Sequence, residues 1–172
     1  MTAPLSGHTQ LAAVIGSPVR HSISPAIHNA AFAACGLDWV YLAFEVAPGA
    51  AAAALDAVRV LGIRGLSVTM PHKTAVADAV DELSDAAREL RAVNCVVHRD
   101  GRLIGDNTDG DGFVDAFRHD TGRDLAGLRC AVIGGGGAAS SRIARWLLIL
   151  AITFRTTPSG TGCGHSIRRS SL

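Results

Sequence analysis

Residues 11–15 (LAAVI) form an apolar run that stops at Gly16, and the pattern beginning there governs what the chain can become. Short buried strands alternate with segments that carry helix start and stop signals. In the segment after Gly16, Ser24 suits an N-cap, Pro25 the first helical position and Gly36 the C-terminal cap. Residues 39–46 read as a second strand, and residues 50–61, alanine-rich and bounded by Pro48-Gly49 and Gly62, as a second helix. Residues 65–69 make a third strand, interrupted by Pro71. Residues 73–91 read as helix, with 81–84 the place where it would break. Asp100-Gly101, between strands at 93–99 and 103–105, is a strong hairpin signal. Residues 111–119 follow as a helix. After a polar joint at 121–127, residues 128–133 are again a buried strand, running into four glycines and a helix over 138–148.

This alternation predicts an α/β fold: a three-layer α/β domain with a mainly parallel sheet, then a truncated Rossmann-like unit. The expected division is a first domain over 1–122, the start of a second over 123–154 and a poorly ordered tail over 155–172. The tail departs from the pattern because the last 22 residues hold eight Ser or Thr, three Gly, three Arg and no acid. The chain's 172 residues, 48% of them apolar, can bury a full core. Its 16 basic and 15 acidic residues leave a net charge of +1, so no global field draws nucleic acid or an anionic membrane. Six arginines and no acid follow Asp124, but no aromatic platform accompanies them, and no nucleic-acid partner is expected. The strongly apolar stretch 146–152 is far short of the ~20 residues a bilayer span needs. No signal peptide or anchor is read at the N-terminus, and a cytoplasmic location is expected. Cys35, Cys95, Cys130 and Cys163 are too irregularly spaced for a zinc site or a disulfide framework, and read as small hydrophobes.

Lys73 is the only lysine among the 16 basic residues, the rest being arginine. A guanidinium keeps its proton in a protein, whereas an ammonium can be tuned for acid or base chemistry. That difference invites a chemical role for Lys73, although a coding bias with one exception would give the same count. Lys73 closes the run Thr69-Met70-Pro71-His72-Lys73 at the end of the third strand. Ser22 and Ser24 stand just past the first strand, where open α/β sheets place ligands, and their hydroxyls could meet a carboxylate or a polyol. They could equally be a loop residue and an N-cap. Asn94 begins another strand, and Asp106-Asn107-Thr108-Asp109-Gly110 forms a polar loop before a helix; turn and cap roles would also explain these. Several polar clusters at strand ends of one small domain could converge on one cleft. Gly134-x-Gly136-x-x-Ala139 between a strand and a helix fits a dinucleotide fingerprint, since small residues let the helix N-terminus approach a pyrophosphate.

Taken together, five runs resemble the shikimate dehydrogenase family: GSPVRHSISPAIHN (16–29), GLSVTMPHK (65–73), AVNC (92–95), GDNTDGDGF (105–113) and VIGGGGAASS (132–141). They stand in the family's order and cover about residues 11 to 145. The resemblance implies NADP-dependent reduction of the small molecule 3-dehydroshikimate to shikimate, on the way to chorismate and the aromatic amino acids. It implies that Ser22 and Ser24 bind the substrate carboxylate and that Thr69, Asn94 and Asp109 hold ring hydroxyls. Lys73 and Asp109 are then the catalytic pair, Lys73 passing a proton to or from the reacting oxygen. Gly134, Gly135, Gly136, Gly137 and Ala138 are implied as cofactor contacts, with Arg155 at the 2′-phosphate.

Where the family's cofactor domain continues through further strands and helices, this sequence does not. The family's Asn-Arg-Thr run corresponds to Phe154-Arg155-Thr156, with the Asn lost and a short spacing before it. A frame shift after about residue 145 would produce such a tail. Alternative expectations are a silent shikimate-binding remnant and a quinate/shikimate dehydrogenase. The unpaired apolar strand at 128–133 also leads us to expect either a homodimer or non-specific self-association.

Overall fold

A computed structural model describes residues 5–126 and 128. The chain divides into two compact units, Met1–Asn107 and Thr108–Leu172. The first unit holds strands β1 (Gln10–Gly16), β2 (Trp39–Glu45), β3 (Gly65–Val68), β4 (Glu82–Leu83), β5 (Cys95–Arg99) and β6 (Arg102–Asp106). Its helices are α1 (Ser24–Ala34), α2 (Ala51–Val60), α3 (Lys73–Ala77) and α4 (Asp85–Leu90). The second unit opens with α5 (Asp109–Thr121). The strand expected at 128–133, the glycine run with its helix, and the tail lie outside the described residues.

The six strands form one sheet in the order β2-β1-β3-β5-β6-β4. β1 pairs in parallel with β2 and β3, and β4 pairs in parallel with β6. The β3–β5 and β5–β6 pairings are antiparallel. The sheet is therefore mixed. Asp100 and Gly101 both have positive φ, 51° and 76°, as a two-residue primed hairpin turn requires, and that turn sends β6 back along β5.

β1 is buried on both faces, which is why its sequence is a continuous apolar run rather than an alternation. Ala13 and Ile15 join Leu66, Val68, Val96 and Leu103 from the neighbouring strands, under Leu55 and Val58 of α2, Val76 of α3 and Ala87 of α4. Ala12 and Val14 face the other way and pack with Val19 and Tyr41, against Phe32 of α1 and Trp39. Helices on both faces make the unit three-layered. The helix expected over 73–91 is two short helices with β4 between them, because Glu82 and Leu83 pair with Ile104 and Gly105 of β6. Ser84 caps α4 by accepting the Ala87 N–H at 3.1 Å.

One capping expectation needs correction. Ser24 is the first residue of α1, and the N-cap position is Ile23, which cannot cap. Pro25 is accordingly the second helical residue rather than the first, still within the first turn, and the Ser22 hydroxyl accepts the Ser24 N–H at 3.2 Å, so the nearby serine satisfies that orphan donor. α1 buries no residue completely, and Ile23, Ile27, Leu37, Leu42 and Phe44 on α1, β2 and the link between them are exposed.

Candidate functional site

Parallel pairing of β1 with β3 brings the C-terminal ends of both strands to one edge of the sheet, and the ladder continues into the following loop as Thr69 N–H donates to Ile15 C=O at 3.0 Å. Because β5 runs antiparallel to β3, with Ser67 opposite Cys95, the start of β5 lies at that same edge. Val68 N–H donates to Asn94 C=O at 2.7 Å, and Asn94 N–H to Asp106 C=O at 3.0 Å. Thr69, Asn94 and the end of β6 therefore share one edge, held by backbone bonds. Lys73, half-buried, opens α3 four residues after Thr69, and its carbonyl accepts Val93 N–H at 2.9 Å, which ties α3 to the residue before Asn94. Ser22 and Ser24 are half-buried beyond β1, Ser22 in a loop anchored by the buried Val19 and Ser24 at the start of α1. Ser22 N–H donates to Val19 C=O at 2.9 Å.

Close approach of the β1 and β3 ends depends on Gly16. A Cβ built there would collide with the Thr69 methyl and lie 3.3 Å from Met70 C=O and 3.4 Å from Val19 Cβ. Ser17 N–H donates to Met70 C=O at 3.0 Å, joining the two loops directly, and Ser17–Pro18 and Met70–Pro71 are both cis.

Among the described residues two polar side chains are buried, His72 and Asn107, and no residue pattern marks the burial of either. Asn107 Nδ2 donates to Ala92 C=O at 2.9 Å and so steadies the turn that delivers Asn94. His72 Nε2 lies 2.8 Å from Val46 C=O, an acceptor only, so the ring carries its proton on Nε2. Both residues sit inside runs that drew attention, TMPHK and GDNTDGDGF, but burial was the missing signal. Asp106 accepts from the Ser84 hydroxyl and from Asn107 N–H. Beneath this edge the Tyr41 hydroxyl donates to Ser67 Oγ at 2.7 Å, and burial raises the Tyr41 pKa above its ordinary value. Burial, with the nearby Asp106 carboxylate, also pushes the Cys95 thiol up, so this cysteine is held as a thiol rather than a reactive thiolate.

Of the expected substrate residues, Ser22, Ser24, Thr69, Lys73 and Asn94 belong to the first unit, where sheet topology gathers the ends of β1, β3 and β6 and the start of β5. Asp109 belongs to the second unit as the first residue of α5, with Asp111 also in the first turn. Gly134, Gly135, Gly136, Gly137, Ala138 and Arg155 lie outside the described residues. Among the described residues, no group of His, Cys, Asp or Glu could hold a metal ion. Among the same residues, no helix is long and apolar enough to cross a membrane.

The family described as "Shikimate dehydrogenase substrate binding domain" matches residues 14–96, a span that carries Ser22, Ser24, Thr69, Lys73 and Asn94. Those residues belong to that family. The chain is 50% identical over 131 residues to a protein of Moorella thermoacetica named "Shikimate dehydrogenase (NADP(+))", covering 76% of this chain and 44% of that one. A solved shikimate 5-dehydrogenase of Listeria monocytogenes, in complex with shikimate and NAD, superposes with a TM-score of 0.78 at 42% identity. That match covers 86% of this chain and 51% of that one. The ligand-free 5-ketofructose reductase of a Gluconobacter strain is also similar, with a TM-score of 0.74 at 33% identity over 83% of this chain and 51% of that one. The chain spans about half the length of the curated relatives it matches. Residues 14–96, which match the substrate-binding-domain family, thus lie within the α/β unit described above.

Proposed function

We propose that this chain binds shikimate and 3-dehydroshikimate and supplies the substrate half of an NADP-dependent shikimate dehydrogenase, which serves chorismate and aromatic amino acid biosynthesis. The observation that carries the reading is the gathering of four strand ends at one sheet edge, three of them, those of β1, β3 and β5 with their hydroxyl, amide and amine side chains, inside the family match. Ser22 Oγ accepts the Ser24 N–H, which leaves its own proton to donate outward; paired with the Ser24 hydroxyl, it suits a carboxylate. Thr69 and Asn94 offer a hydroxyl and an amide, groups that can both donate to and accept from ring hydroxyls, and Asp109 accepts from another. Lys73 gives a proton to the substrate oxygen as the ketone becomes an alcohol, and takes it back in the reverse direction. Asp109, as its catalytic partner, balances the ammonium.

When bound in its reduced form, NADPH would supply the hydride that the substrate carbon receives, leaving as NADP+. Gly134, Gly135, Gly136, Gly137 and Ala138 are the residues proposed to hold its pyrophosphate and Arg155 its 2′-phosphate, on sequence pattern alone. The accompanying domain plan is a substrate domain over 1–122, the beginning of a dinucleotide domain over 123–154, and a tail. A cytoplasmic location goes with this reading, supported by the free thiols of Cys35 and Cys95. So does action on a small molecule without a nucleic-acid partner. Exposed apolar residues on α1 and β2 support self-association, as a homodimer or less specifically.

A second reading, a wider choice of polyol substrate, is favoured by the similarity to a ketofructose reductase. Calorimetric titration of the chain with shikimate, quinate and 5-ketofructose, beside NADPH oxidation with 3-dehydroshikimate, tests both readings. Shikimate binding with turnover assigns the reaction to this chain, and binding without turnover assigns it a silent substrate-binding role. Preference for quinate or 5-ketofructose supports the second reading, and no binding of any of the three refutes both.

A further inference from the structure

The ends of β1, β2 and β3 are stitched together by a nearly closed circuit of hydrogen bonds. Val46 N–H donates to Gly16 C=O at 3.0 Å, Ser17 N–H to Met70 C=O at 3.0 Å, and His72 N–H to Thr69 C=O at 3.1 Å. The remaining link is a side chain: His72 Nε2–H donates to Val46 C=O at 2.8 Å. His72 is 1% exposed, and a buried imidazole with one directed hydrogen bond is held in one rotamer and one tautomer. Its position in the chain gives that rigidity a use. His72 is the N-cap residue of α3, its carbonyl accepts Val76 N–H at 2.8 Å, and the next residue is Lys73. His72 cannot contribute a side-chain cap, because its ring is turned away to Val46.

We propose that His72 is a positioning residue: through its Nε2–H bond to Val46 it fixes the start of α3, and thereby sets where Thr69 and Lys73 stand at the substrate edge. The link runs from the strand end that carries no proposed substrate residue, β2, to the loop that carries two. Thr69 and Met70 are already tied by their backbones to Ile15 and Ser17, so β1 fixes the beginning of the loop. Nothing in that pair of bonds fixes the loop's far end, where Lys73 begins. The His72–Val46 bond does so from the β2 side, and the Lys73 C=O bond to Val93 does so from the β5 side. Lys73 is thereby held between two strands that are not neighbours in the sheet. A site meant to deliver one proton to one oxygen needs such support, because small misplacements cost large factors in rate and affinity.

This inference rests on the substrate-domain reading for its functional consequence, but its structural part can be tested without substrate. Lys73 is the only lysine of the chain, so protein labelled with ¹³C at lysine Cε gives a single side-chain NMR signal for this residue. His72→Gln puts an amide nitrogen where Nε2 stands, His72→Asn puts one where Nδ1 stands and so falls short of Val46, and His72→Phe keeps bulk without a donor. The expected result is that the Lys73 signal keeps its position in His72→Gln and shifts or broadens in His72→Asn and His72→Phe. Shikimate affinity should fall about tenfold in the Asn and Phe variants, the scale of one lost hydrogen bond, and stay within about threefold of the parent in the Gln variant. Loss of folding in His72→Phe leaves the Gln and Asn comparison to decide. The proposal is overturned if Gln and Asn behave alike, whether both are silent, both perturbed or both unfolded. Absence of shikimate binding in the parent chain would instead refute the substrate reading, while the Lys73 signal continued to test the link from His72.

Discussion

Gly16→Ala probes how tightly the substrate edge is built. The added Cβ meets the Thr69 methyl inside contact distance, with Met70 C=O at 3.3 Å and Val19 Cβ at 3.4 Å closing the other directions. Thr69 cannot retreat with its backbone, because its N–H is bonded to Ile15 C=O and Met70 C=O is bonded to Ser17 N–H. Overpacking of this kind costs about 1–3 kcal/mol. Thr69→Ser removes the offending methyl while keeping the hydroxyl, and for a half-buried residue loses less than the ~0.8 kcal/mol of a fully buried methylene. In Gly16→Ala/Thr69→Ser the collision disappears, so the double variant should lie within about 1 kcal/mol of the parent, a coupling of about 1–2 kcal/mol in its favour. Urea unfolding of the four proteins measures the cycle, and shikimate calorimetry on the same samples should follow it: weak binding in Gly16→Ala, restored in the double variant. Additive effects would refute the view that position 16 and the Thr69 methyl are in direct contact. A Gly16→Ala chain that binds shikimate like its parent would refute the view that this contact sets the site.

Three further outcomes are expected. Lys73→Arg, in a chimera carrying the second half of a full-length relative, should lower turnover by about 10²–10⁴ while leaving shikimate binding largely intact, since arginine keeps charge but not a transferable proton; near-full rate would reduce Lys73 to an electrostatic anchor. Asn29→Ala should destabilise the first unit by roughly 1–3 kcal/mol in denaturant titration, because Asn29 clasps both backbone polar groups of Tyr41, accepting its N–H at 2.8 Å and donating to its C=O at 2.9 Å on edge strand β2. The hydrogen bond from Arg59, then that from Leu103 N–H, hold the Asp81 carboxyl below its ordinary pKa, so its contribution to stability is present at neutral pH and lost as pH falls through the folded-state value; thermal melts of Asp81→Asn should therefore fall below the parent at pH 7 and converge with it in acid.

The buried strands and covering helices of the first unit were legible because each carries its own local signal: the apolar run of β1, Pro25 and Gly36 about α1, and Asp100-Gly101 between β5 and β6. The Ser24 cap was misjudged because Ser22, two residues earlier, offers the same hydroxyl in a geometry that no residue pattern distinguishes. The break in the 73–91 segment could be located, but a two-residue strand was invisible there, since Glu82 and Leu83 become a strand through β6 and not through their own preferences. The supports of the candidate site were hidden for a similar reason. His72 and Asn107 look like ordinary polar loop residues until their burial is known.

Antiparallel pairing explains how residues so far apart in sequence come to share an edge. In a wholly parallel sheet the residue before a strand lies at the end opposite the residue after it, and Asn94 would stand far from Thr69. Reversal at β5 brings its beginning beside the end of β3, and the Asp100-Gly101 turn reverses the chain again, so the end of β6 returns to that same edge with Asp106 and Asn107. The edge is therefore a product of one two-residue turn as much as of the polar residues it collects. Lengthening that turn by one residue would disturb the register of β6 against β5, in which a one-residue slip exchanges the faces of Leu103 and Ile104. Leu103 is fully buried in the core beneath α2–α4, so such a slip is resisted by packing on the opposite face from Tyr41. The core of this unit thus holds the site's register.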